Sequence, residues 1–282
     1  MSEKSTRKKI KLQPILLIVI MLIVTAIFLI PIIWMTSASF QGQGELFKIP
    51  FNWIPKDPSL ENYKFAIDAG GLKNAFITST ITSILLISIQ VSLSTITGYV
   101  FGKYKFPFKK TIFMFIMMTL MIPGELTYFP LFDIVKTFNL TNTYFGLVLP
   151  FIYSGFGIVY IYQFSKYIPN EILESAKIDG CGNIRTFFSV ALPMLKSAIS
   201  GLVILAFTFI WTEFAWCKSI ITQEEMRPLS MVLTQLSKGS DNAVNYGGLI
   251  AAGAMVMIPI LIIFLIFQKN FIESIIGSGV KG

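Results

Sequence analysis

Two carboxylates stand where carboxylates are expensive. Glu125, in the run Met121-Ile-Pro-Gly-Glu-Leu-Thr-Tyr-Phe-Pro130, and Glu213, in Phe209-Ile-Trp-Thr-Glu-Phe-Ala-Trp216, interrupt otherwise apolar stretches. Ionisable groups in such surroundings face a cavity or a partner rather than lipid. Glu125 follows Pro123-Gly124, a pair able to open a helix and free carbonyls to line a cavity. Glu213 lies beside Trp211 and Phe214, and a carboxylate among ring faces suits the hydroxyls and apolar faces of a sugar. Each acid also has a plainer reading, as a gate hydrogen bond or as a group reaching the outer interface. Tyr128 and Phe129 read as packing or interface anchors. The chain has no histidine, which removes the commonest acid–base catalyst and metal ligand. Neither a catalytic constellation nor a metal set is expected.

A second group of polar residues lies between Ile168 and Ile199, with Pro169 near one end and Pro193 near the other. Pro169 suits the first turn of a new helix. Asn170 is a candidate cap, and Glu171 and Glu174 favour the positive N-terminal end. Ile172, Leu173, Ala176 and Ile178 fall roughly on one side of a short helix. Asp179-Gly180 then reads as a break, because glycine supplies positive φ at no steric cost. A second helix is expected from Asn183 to Leu192, with Phe187 and Phe188 as bulky anchors, until Pro193 ends it. Two short helices joined at a glycine make a knob that fills a partner's cleft. The same stretch also fits an interfacial helix lying on a membrane.

These groups must be positioned by elements that live in lipid. Of the 282 residues, 54% are hydrophobic and 13% charged, about half the usual charged share of a soluble domain. Six stretches are long and apolar enough to cross a bilayer, which takes about 20 residues: Pro14–Phe40, Asn74–Gly98, Thr111–Phe132, Thr143–Phe164, Ser197–Ile220 and Gly247–Phe267. The first is too long for a signal h-region and lacks a small-residue cleavage site, so it reads as a retained helix. Of the 23 Lys and Arg residues, fifteen fall inside and eight outside when the N-terminus is placed inside, which supports an N-in, C-in topology. Beside membrane helices such a basic bias is a topology signal and points to no nucleic acid. The expected fold is an all-α integral membrane protein of six transmembrane helices. Residues 1–13 form an inner tail, 14–40 the first helix and 41–73 an extracytoplasmic segment. Residues 74–268 form a five-helix core containing loop 168–199, and 269–282 a second inner tail. Cys181 and Cys217 fall near opposite faces and should not pair.

The pattern Glu174-Ser-Ala176-x-x-Asp179-Gly180-Cys-x-x-x-x-Phe187-Phe-x-x-x-Leu-Pro193 resembles the EAA loop of binding-protein-dependent ABC permeases, with Ser175 and Cys181 where that family usually carries alanine. Met121–Pro150, Phe209–Trp216 and the Gly247–Phe271 run extend the likeness to about Pro31–Gly282. The chain resembles a MalG-type permease subunit of a type I carbohydrate importer. The resemblance implies a MalF-like second permease, an ATPase dimer holding ATP-Mg, an extracytoplasmic solute-binding protein, a sugar substrate and a multi-pass place in the lipid of a bacterial cell membrane. It implies that Glu174, Ala176, Asp179 and Gly180 dock the ATPase, with Phe187 and Pro193 belonging to the same surface. Glu125, Trp211 and Glu213 are the substrate-pathway candidates.

This chain is expected to bind no cofactor and to be no enzyme. Gly98-Tyr-Val-Phe-Gly102-Lys103 lacks the spacing and the Ser or Thr of a phosphate loop, and fits instead the G-x-x-x-G pattern of close-packed membrane helices. An ion-coupled secondary transporter acting without an ATPase is the alternative, for which two acids with no buried base are thin support.

Overall fold

The structure, a computed structural model, describes residues 12–68, 71–239 and 244–279. Among these residues every regular element is helical. Besides the short turns Gln43–Leu46 and Glu224–Met226, they are in chain order α1 (Leu12–Ala38), α2 (Glu61–Asp68), α3 (Leu72–Lys103), α4 (Lys109–Thr119), α5 (Gly124–Thr137), α6 (Tyr144–Phe151), α7 (Gly155–Lys166), α8 (Asn170–Ile178), α9 (Asn183–Met194), α10 (Lys196–Thr212), α11 (Ala215–Ile220), α12 (Leu229–Lys238) and α13 (Tyr246–Gly279). Parts of α1 and α13 and the whole of α3 are long and apolar enough to cross a membrane uninterrupted. The pairs α4–α5, α6–α7 and α9–α10 reach that length only together, bent by 95°, 55° and 75°. That makes three spans, or up to six if each bent pair crosses as one.

Two of the breaks have local causes. Pro123 separates α4 from α5, and Gly124–Thr127 opens α5 as a tight 3-10 turn. The fifth apolar stretch, expected to run unbroken to Ile220, divides instead at Glu213, whose backbone is extended (φ −63°, ψ 123°). The last helix continues beyond the expected end at Phe267, to Gly279.

One contact organises the bundle. α3 and α7 meet backbone to backbone through Gly98 and Gly102. A Cβ on Gly98 would lie 2.7 Å from Ile161 Cβ and 2.8 Å from the Ile158 carbonyl oxygen, and one on Gly102 would lie 2.5 Å from Ser165 Cβ. The G-x-x-x-G pattern therefore does the packing job it suggested. Midway along α3 a π-helical turn, Ile87–Val91, turns buried Gln90 toward α6, where its Nε2 donates to the Phe151 carbonyl at 2.8 Å. By contrast α1 exposes its apolar length and buries residues only from Ala38 onward. There Asn62, at the start of α2, donates to the Ser39 and Gln41 carbonyls.

Candidate functional site

Loop 168–199 folds as two helices around a glycine turn. α8 runs over Asn170–Ile178, as the residue pattern indicated. Gly180 adopts φ +82°. Its N–H donates to the Lys177 carbonyl at 3.0 Å, and the Cys181 N–H donates to the Ala176 carbonyl at 2.9 Å. That pair of bonds is a Schellman cap, which satisfies the last carbonyls of a helix when the residue after its end is left-handed. A Cβ at Gly180 would meet nothing within 4 Å, so the requirement for glycine here is conformational and not spatial.

The loop has an inner and an outer face. Leu173, Ala176 and Phe187 are buried, and Leu173 and Phe187 join a core with Tyr99, Ile161, Ile168 and Leu195. The Phe187 ring packs on Tyr99 at 5.0 Å. Glu174, Asp179, Gly180 and Pro193 are exposed, as are Ile178 and Ile184. Exposed acids and isoleucines at the tip, on a base clamped by aromatic packing, form a rigid and chemically mixed protrusion.

Several details correct the expectations. Asn170 does not cap α8; it is the first helical residue, Pro169 precedes it, and no side chain caps that end. The Asn170 Oδ1 accepts instead from Lys103 Nζ at 3.0 Å, and the same ammonium donates to the Ile168 carbonyl. Ile172 and Ile178 are not on the buried side, since only Leu173 and Ala176, three residues apart, share it. Phe187 faces the bundle, not the outside, and Phe188 is the exposed ring. Pro193 does not end α9, which continues to Met194. The π-helical turn Phe187–Ala191 closes just before it, leaving Pro193 in the first turn of the next segment, where its missing N–H costs little.

The second candidate region lies at the other end of α10, a helix of 17 residues and so about 25 Å long. The Glu213 Oε1 accepts from the Trp216 N–H at 2.8 Å, capping α11, and the Glu213 carbonyl accepts from Ser230 Oγ. Tyr128 is an electrostatic neighbour of both Glu213 and Glu125, so the breaks α4–α5 and α10–α11 bring both acids around one phenol. Its ring packs tilted against Trp216 (5.6 Å) and edge-on to Phe151 (6.3 Å). Glu125 is exposed, among exposed Met121, Ile122, Leu126 and Phe129. Trp211 is not part of this group. It is buried, stacks on Phe207 at 5.0 Å and donates its indole N–H to the Val256 carbonyl at 3.1 Å. Packing of α10 on α13 accounts for it fully.

Three residues of consequence escaped the sequence reading. Lys103 entered it only as one of the counted charges and as the end of a rejected phosphate-loop pattern. Gln90 drew no notice, although a lone amide in an apolar helix is a signal that could have found it. Asn142, at φ +54°, fastens the segment before α6 to the one after α11: its Oδ1 accepts from the Thr222 and Gln223 N–H groups at 2.8 and 3.1 Å.

Comparison with known proteins agrees with this architecture. The family model described as "Binding-protein-dependent transport system inner membrane component" matches residues 94–276. The chain is 30% identical over 264 residues to the arabinooligosaccharides transport system permease protein AraQ of Bacillus subtilis, covering 93% of each chain. It is 27% identical over 253 residues to the diacetylchitobiose uptake system permease protein NgcG of Streptomyces coelicolor, covering 89% of this chain and 83% of that one. Identity to the sn-glycerol-3-phosphate transport system permease protein UgpE of Yersinia pestis is 26% over 266 residues, with 92% and 95% covered. Among solved structures, a chain of a bacterial ABC transporter involved in the import of the acidic polysaccharide alginate superposes with a TM-score of 0.80, at 18% identity, over 96% of this chain and all (100%) of that one. At that identity the likeness is one of fold.

Proposed function

Because the chain belongs to the family of binding-protein-dependent transport system inner membrane components, we propose that it is the permease subunit of an ATP-driven ABC importer for a carbohydrate, in the oligosaccharide class. The substrate class follows the relatives, which carry arabinooligosaccharides and diacetylchitobiose by name. In this reading the chain crosses the membrane six times with both termini inside. A MalF-like second permease completes the pathway, an ATPase dimer with ATP-Mg grips loop 168–199, and a solute-binding protein delivers the sugar from outside.

The observation that carries this is the build of the loop. A Schellman turn at Gly180 presents Glu174 and Asp179 outward, while Leu173 and Phe187 clamp the loop to α3 and α10. A protrusion that is rigid at its base transmits force; one resting loosely on lipid does not. At the far end the broken helices around Tyr128 place polar groups within apolar stretches, as the discontinuous helices of transporters do generally. Glu125 and Tyr128 line the pathway, and Glu213 shapes it by holding α11.

The test is a tagged purification from membranes in mild detergent, with mass spectrometry of the co-isolated chains. A second permease and an ATPase are expected. Recovery of this chain alone, catalysing uptake by itself after reconstitution, would overturn the proposal.

A further inference from the structure

Both arms of loop 168–199 are fastened to one helix. Phe187 of α9 packs on Tyr99 of α3, and Lys177 of α8 lies 6.0 Å over the Tyr104 ring at the end of α3. The most directed fastening is Lys103. It follows Gly102, where α3 touches α7, and reaches across to the Ile168 carbonyl and the Asn170 amide oxygen, the point at which α7 gives way to α8. Ile168 is buried and Lys103 is half-buried, so the bond to the Ile168 carbonyl is partly shielded from water, while the bond to exposed Asn170 is open to it. α8 cannot swing about the Tyr167–Pro169 pivot without breaking these bonds or moving α3.

Higher on the same helix, Gln90 repeats the arrangement. The π-helical turn Ile87–Val91 turns its amide to the Phe151 carbonyl at 2.8 Å, and π-turns of this kind recur where helices do functional work. Phe151 sits at the bend between α6 and α7. Its ring contacts Phe209, Tyr128 and Trp216 at 4.9, 6.3 and 6.4 Å, and Glu213 caps the helix that carries Trp216. A contiguous chain of contacts thus runs from the loop along α3 to Glu213.

We infer that α3 is the connecting rod of this permease, and that Lys103 and Gln90 are positioning residues that pin it to the ATPase-docking loop at one end and to the broken-helix cluster at the other. The inference rests on the proposed importer function. Contact alone shows a route for coupling and not its use, so the test measures coupling directly.

The experiment uses the whole complex, co-expressed with its second permease, ATPase and binding protein and reconstituted in liposomes, and reads ATP hydrolysis stimulated by sugar-loaded binding protein. Lys103→Met and Gln90→Leu are each expected to lower that stimulation by about tenfold, the scale of one lost charge-assisted or buried hydrogen bond, while the ATPase co-purifies as before. Lys103→Arg keeps most of the stimulation, since a guanidinium supplies donors at the same reach. Lys110→Met, at an exposed position in the first turn of α4, changes nothing. Because both pins act on one rod, the double variant should be no worse than the poorer single, whereas independent effects would multiply to about a hundredfold. Multiplied effects, full stimulation in Lys103→Met, or loss of the ATPase from that complex would each overturn the rod. Failure of the unaltered complex to hydrolyse ATP in response to the binding protein would instead overturn the importer reading.

Discussion

The two ends of α10 are held by different physics. At the loop end, apolar packing of Leu173, Phe187 and Leu195 and the glycine contact between α3 and α7 fix the structure, with Lys103 as a polar tie. At the far end a smaller core around Trp216 and Ile220 is joined to its surroundings by single hydrogen bonds between segments distant in sequence, Asn142 to Thr222 and Gln223, the Trp216 indole to the Gly146 carbonyl, and Ser79 Oγ to the Leu229 N–H, with Glu213 to Trp216 as a local cap. Packed cores behave as rigid pieces, whereas a set of individual bonds can be exchanged one at a time. A transporter driven from one end needs a stiff handle there and a yielding gate at the other. The asymmetry fits that requirement.

The strongest way to break the comparison is to pry the handle apart. Gly98→Val puts methyl groups where Ile161 Cβ and the Ile158 and Tyr162 backbone already lie within 2.8 Å of a Cβ. Overpacking against backbone costs about 1–3 kcal/mol, and more where neither helix can yield. Thermal unfolding of the detergent-solubilised complex should fall clearly. An unchanged unfolding temperature would mean that α3 and α7 are not in backbone contact.

Gly180→Val is the next largest. Valine in the left-handed conformation costs about 1–2 kcal/mol, but nothing surrounds the site, so the bundle itself stays sound. Expected is a permease that inserts and unfolds like the native one, yet loses most ATPase stimulation because Glu174 and Asp179 are re-aimed. Normal stimulation in this variant would dismiss the docking geometry. The pair separates two glycines that look alike in sequence: one is needed for space, the other for φ.

Much of the loop end was legible because it is built from local rules. Pro169 and Asp179-Gly180 bracketed α8, although Ile172 and Ile178, expected on its buried side, are exposed. The G-x-x-x-G spacing announced the α3–α7 contact. The errors there concern facing: Phe187 and Phe188 are adjacent, and only the bundle decides which one is buried. The far end was legible only in outline. Pro123-Gly124 marked one break, but the break at Glu213 has no proline or glycine. It exists because a carboxylate caps the following helix, a competition between side chain and backbone that an apolar run conceals. Trp211 and Trp216 sit five positions apart in one motif, yet one packs on α13 and the other on α6. Asn142 and Lys103 bond partners 80 and 67 residues away, distances over which no local pattern carries information.

The smallest expected effect sharpens the comparison most. Glu213 has served two readings, as a charge in the pathway and as a cap. Glutamine retains a side-chain oxygen able to accept from the Trp216 N–H, so Glu213→Gln preserves the cap and removes only the charge. Alanine removes both, at about 1 kcal/mol for a lost cap. The geometry favours the cap, because Oε1 is committed to Trp216 at 2.8 Å. Glu213→Gln is therefore expected to unfold and transport like the native chain, within about 0.5 kcal/mol, while Glu213→Ala loosens α11 and slows uptake. Should Glu213→Gln slow uptake with stability unchanged, the carboxylate acts on what passes through the pathway, and the far end would then read its substrate by charge as well as by shape.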